Sequence, residues 1–104
     1  MVAWLSLSIL PMHTVKIDLD LLPTGRHLTF SKEMLEVAHV FRRVGGEAGP
    51  WQRVAVNGRS PYLDTDVFAP GTLLEYYVQH ETQQGQAEDR SHIVNTTISP
   101  APAS

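Results

Sequence analysis

The 104-residue chain has no cysteine, which excludes disulfides and thiolate metal sites. It has no dense basic stretch either. Eight Lys and Arg stand against eleven Asp and Glu, a formal charge of −3 spread without long like-charge runs. Binding nucleic acid through its backbone requires a basic face that displaces phosphate counterions, so no nucleic-acid partner is expected. No apolar run reaches the ~20 residues of a membrane-spanning helix. There is no G-x-S-x-G elbow, G-x-G-x-x-G or P-loop run, and no His-x-x-x-His spacing. The expectation is therefore a protein without enzymatic activity and without a cofactor.

What is present is short-range alternation. In VAWLSLSIL, Ala3, Leu5, Leu7 and Ile9 share one parity against Trp4, Ser6 and Ser8, which reads as an N-terminal strand or extension over residues 1–12. The competing reading is an atypical signal segment, although no Lys or Arg precedes it and no small-x-small site follows. TVKIDLDLL puts Val15, Ile17, Leu19 and Leu21 on one face against Lys16, Asp18 and Asp20, a half-buried strand. Pro23-Thr24-Gly25 marks a turn, and HLTFS reads as the next strand. SKEMLEVAHVFRR is open between an amphipathic helix and a strand. WQRVAV reads as a strand ending at the Asn57-Gly58 turn. LLEYYVQHE and SHIVNTTIS flank a polar loop, and residues 100–104 form a tail without periodicity. Short strands at this spacing predict one antiparallel sandwich over residues 13–99.

FRRVGGEAGPWQRVA, SPYLDTDVFAPGTLLEYYV and SHIVNTTI together resemble the C, C′, E, F and G strands of a fibronectin type III domain over about residues 37–98. The resemblance implies an all-β, fibronectin III/immunoglobulin-like antiparallel β-sandwich of about seven strands, here with an extra N-terminal strand. Lys32, Ala38 and Leu74 stand where the family usually carries a core Trp, a Tyr and the tyrosine of the corner before strand F. Trp4, Phe30 or Phe41 is expected to fill that space. The implied function is a non-catalytic binding or structural spacer module for a protein or glycan partner, extracellular or particle-associated. An alternative is a component of a phage-like or cell-surface assembly, a homo-oligomer formed through residues 1–12.

Individual residues refine these expectations. Tyr76 and Val78 share the parity expected to face inward, with Tyr77 and Gln79 outward. Trp51 reads as a lid over one end of the core. Arg42, Arg43 and Arg53 are candidates for an anionic partner, and Trp51 and Tyr77 for either rim packing or a stacking surface under a sugar ring. Asp64 and Asp66, like Asp18 and Asp20, read as carboxylates on a solvated face. If the last hairpin centres near Gln86, His80 and His92 lie opposite each other, and with Glu81 or Glu88 they form the candidate metal site. Asn95-Thr96-Thr97 matches the N-glycosylation pattern.

Overall fold

A computed structural model describes residues 15–32 and 36–100. The segment 1–12, Trp4 within it, and the tail beyond Pro100 lie outside the described residues. Strand β1 (Ile17–Leu22) turns at Pro23–Thr24 into β2 (Gly25–Phe30), pairing from Ile17↔Phe30 to Leu22↔Gly25. β5 (Tyr62–Asp64) lies against the other side of β2, which completes a three-stranded antiparallel sheet in the order β1-β2-β5. β3 (Val37–Val44) runs between β4 (Trp51–Ala55) and β6 (Leu73–Glu81) in a second sheet. β7 (Ala87–Arg90) and β8 (Val94–Thr97) both pair with β6, giving five strands there. The architecture is all-β, and no helix among the described residues is long and apolar enough to cross a membrane.

The segment left open between helix and strand is a strand from Val37 onward. Val37, Val40 and Phe41 are β-branched or aromatic and suit a pleated surface between two partners. The run from Ser60 to Thr72 carries the chain from β4 across to β5 in the first sheet and back to β6 in the second.

Val15, Ile17, Leu28 and Phe30 from the first sheet meet Ala38, Val40, Leu74, Tyr76 and Val78 from the second in one core. The two sheets thus face each other across a single apolar layer. β6 follows its period-2 pattern without a break: Leu74, Tyr76, Val78 and His80 are buried, and the residues between them are half-buried on the opposite face. Phe30 joins the core as expected, whereas Phe41 points away from it. β1 keeps its pattern only at its start. Val15 and Ile17 are buried, but Leu21, opposite Arg26, is 61 % exposed because the second sheet no longer covers this outermost strand.

Gly25, like Gly49 against the Val44 carbonyl, is required by close approach. A Cβ on Gly25, at φ +156°, would stand 2.3 Å from the carbonyl oxygen of Asp64 where β2 meets β5. No side chain fits there without moving backbone.

Candidate functional site

Two clusters of chemically active side chains stand out, one between the sheets and one on the outer face of the larger sheet. The interior cluster follows from strand parity. Arg26 shares the inward face of β2 with Leu28 and Phe30, and Arg42 shares that of β3 with Ala38 and Val40. Asp64 lies opposite Arg26 on β5 and is 2 % exposed. Its carboxylate accepts from Arg42 Nη1 at 3.1 and 3.0 Å, from the Tyr76 hydroxyl, and from the backbone N–H of Asp66 at 3.1 Å. Arg26 Nε donates to the Tyr76 hydroxyl oxygen at 3.0 Å, and its Nη2 donates to the Asp66 carbonyl at 2.6 Å. The Phe68 ring lies beneath both guanidiniums.

Burial alone would push the Asp64 carboxyl up. Hydrogen bonds from Tyr76, Arg42 and the Asp66 N–H, with the Arg42 charge, outweigh it and hold the carboxyl below the usual carboxylate range. Burial, then the Asp64 carboxylate, pushes the Tyr76 phenol well above its ordinary range. The cluster's hydrogen bonds run between its own members, so it holds the two sheets together. Two expectations are corrected here. Arg42, expected on a solvated edge, is buried and bonded to Asp64 and Asp66, and Asp64 is an interior charge and not a solvated one. Asp66 remains exposed, giving Arg42 Nη1 a second carboxylate at 2.8 Å.

The outer face collects the other candidates. Register pairs Arg43 with both Trp51 and Glu75, and Phe41 with both Arg53 and Tyr77, so all six belong to one face. Phe41 and Tyr77 stack at 4.9 Å between ring centroids, and Trp51 meets Tyr77 edge-on at 4.7 Å. Arg43 lies over the Trp51 ring at 4.6 Å and forks onto Glu75 at 2.8 and 3.0 Å. Those bonds draw the Glu75 carboxyl below its usual range. Trp51 is therefore part of an exterior aromatic row, not a lid on the core. Arg53 stands on this face in the solvent.

Beyond Tyr77 the strand pairing is interrupted. Ser91 is 2 % exposed, and its own N–H donates to the Val78 carbonyl at 2.8 Å. Its hydroxyl accepts from the Val78 N–H at 2.9 Å and donates to the His92 carbonyl at 2.8 Å. One side chain thus replaces a rung of the ladder, ending β7 at Arg90 and delaying β8 until Val94. Irregularities of this kind re-aim side chains, and here His92 and Ile93 form a wall. With Trp51, Tyr77, Arg90 and Ser91 they enclose an open groove of about 380 Å³. Arg90 lies over the Tyr77 ring at 5.5 Å. Ser91→Ala is expected to lower stability by about 1–3 kcal/mol, because the buried Val78 N–H loses its acceptor. Chemical denaturation checks the value, and Ser91→Thr is expected to recover part of it.

The histidine pair does not assemble. The β6–β7 turn is closed by Thr82 and Gln86, with Glu81 paired to Ala87, so the hairpin centres on Gln84 and not near Gln86. Moving the centre by two residues moves every cross-strand partner by four, and His92 falls beyond β7. His80 faces inward, with Nε2 at 2.8 Å from the Ser31 carbonyl and Nδ1 at 3.1 Å from Glu36. His92 lies on the other side of the sheet, in the groove wall. Among the described residues no group of three or more His, Asp and Glu is placed to hold a metal ion. Glu81 instead meets His39 Nε2 at 3.1 Å.

Arg43, Trp51 and Tyr77, read in the sequence as separate candidates, lie together on one face of the larger sheet, with Arg53 on the same face. Arg90, Ser91 and Ile93 were not legible as site residues, since nothing in AEDRSHIV marks the ladder break that positions them. The interior role of Arg42 does carry a signal, its shared parity with Ala38 and Val40. No known family, curated protein or solved structure matches the chain.

Proposed function

We propose that the chain is a non-catalytic binding module of fibronectin III-like architecture, which contacts its partner through the outer face of the five-stranded sheet. Two strand groups, β1-β2-β5 and β4-β3-β6 with β7 and β8, support the architecture, because they follow the order of A-B-E and C′-C-F-G. The single observation that carries the function is the groove at Trp51 and Tyr77. Trp51 and Tyr77 are half-buried on an outer sheet face, and their remaining exposed surface borders a concavity instead of closing it.

The test is an amide and indole chemical-shift titration of the whole chain. The probes are neutral and uronic-acid oligosaccharides and neutral and acidic peptides. Shifts are expected at the Trp51 indole N–H and at residues 90–93, and Trp51→Ala should abolish them while leaving the melting curve within a few degrees. If no probe moves these signals, or if Trp51→Ala leaves the shifts intact, the outer-face reading is wrong.

A further inference from the structure

The groove also indicates the chemical class of its ligand, an inference that rests on the outer-face reading above. We propose that it takes a neutral sugar ring, bound through its hydroxyls by the Trp51 indole N–H, the Tyr77 hydroxyl and the His92 imidazole, with its C–H surface against Ile93.

The first argument is which polar atoms are already committed. Ser91 lines the groove, but its hydroxyl is taken by the Val78 N–H and the His92 carbonyl. Arg43, beside Trp51, forks onto Glu75, and Arg90 is engaged within the chain and lies over the Tyr77 ring. An ionised ligand would compete for partners already engaged and give up its own hydration to do so. By contrast, no hydrogen bond from the described residues reaches the Trp51 indole nitrogen, the Tyr77 hydroxyl or the His92 ring. The indole only donates, whereas the phenol and the neutral imidazole both donate and accept. A sugar hydroxyl also does both, so it matches all three without bringing a charge.

The second argument separates a sugar from a proline-rich peptide, the other ligand suited to an aromatic groove. Tyr77 is flanked by Phe41 from β3, stacked at 4.9 Å, and by Arg90 from β7 on the opposite side of β6, at 5.5 Å. Arg43 covers one face of Trp51 at 4.6 Å. At most one ring face is left open, beside two polar ring edges. Successive prolines packing on aromatic faces have no second face here, and their carbonyls accept without donating. One sugar ring needs one face for its C–H groups and uses the polar edges for its hydroxyls.

The third argument is the floor and the size. The floor is β6, whose backbone is paired on one side with β3 and on the other with β7 and β8. An extended peptide has no strand to add to there and forgoes the main-chain bonds that give strand addition its affinity. A volume of about 380 Å³ is at the small end of ligand sites and suits a ring, not a folded segment.

Calorimetric titration of the full chain decides the matter. The probes are maltotetraose, cellotetraose and mannotetraose, which differ in linkage or hydroxyl orientation, with tetragalacturonate and a proline decamer. At least one neutral sugar is expected to bind, with an affinity that added salt leaves within about twofold. Tyr77→Phe and Trp51→Phe each remove one hydrogen-bonding group and keep a ring. Each is expected to weaken that sugar about three- to tenfold and to leave the melting curve within a few degrees. Sugar binding unmoved by both variants overturns the proposal. So does tighter binding of tetragalacturonate, or an affinity that falls steeply with salt. Binding of the proline decamer as tight as that of the sugar makes the groove a polyproline site, which overturns the proposal and leaves the binding-module reading standing. If none of the probes binds, the proposal fails. The reading on which it rests fails separately, if the wider panel of oligosaccharides and peptides also leaves residues 90–93 unmoved.

Discussion

Asp64→Ala is expected to cost about 3–5 kcal/mol of folding stability, read as a fall in the denaturant midpoint at unchanged slope. The loss is large because the variant leaves Arg26 and Arg42, 7 % and 8 % exposed, between the sheets without their shared counter-charge. Against a typical total of about 5–15 kcal/mol it brings the protein close to unfolding. Tyr76→Phe should cost less, about 1.5–3 kcal/mol, since it removes one hydrogen bond to Asp64 and one from Arg26 but leaves the charges paired. Replacing Arg26, Arg42 and Asp64 together by Met, Leu and Leu should be far milder than Asp64→Ala alone, because no charge remains to be desolvated. A triple variant worse than the single one would show that the charges themselves hold the fold.

The same group sets an acid limit. The folded Asp64 carboxyl titrates below its unfolded value of about 3.9. Its contribution is therefore complete above that pH and is lost as pH falls through the folded value. Asp64→Asn should flatten stability against pH in this window and change little of its slope near neutrality. An unchanged acid limb in the variant would assign the acid loss to other carboxylates.

Leu28→Ala is the second large effect, about 2–5 kcal/mol, because Leu28 has no exposed surface and reaches into the layer between the sheets. Leu21→Ala, on the strand paired with it, should stay within about 0.5 kcal/mol. The contrast is informative because both residues occupy the apolar parity of clean alternating strands. If the two losses are equal, the exposed end of β1 is covered in solution.

That pair also shows what could be read from the chain. Period-2 alternation predicts which face of a strand is apolar, and in β6 it assigned Tyr76 and Val78 inward and Tyr77 outward, as found. It cannot say how far along the strand the opposite sheet extends, and Leu21 is exposed for that reason. The interior ion cluster was misread because charged residues are ordinarily solvated. Arg26, Arg42 and Asp64 become interior only when three strands distant in sequence place them at one level. Trp51 and Tyr77 were recognisable as site candidates from residue type. The wall facing them was not, because the break at Ser91 exists only as an exchange of hydrogen bonds with Val78.

That break has a further effect, on what the protein avoids. β7 and β8 form one margin of the larger sheet, and an unbroken strand from Ala87 to Thr97 would present a straight row of N–H and C=O groups to any neighbouring chain. Such a margin is a template for edge-to-edge pairing and fibrous aggregation. By tucking one serine under the ladder, the chain divides its margin into two four-residue pieces, each too short to guide a second copy into register.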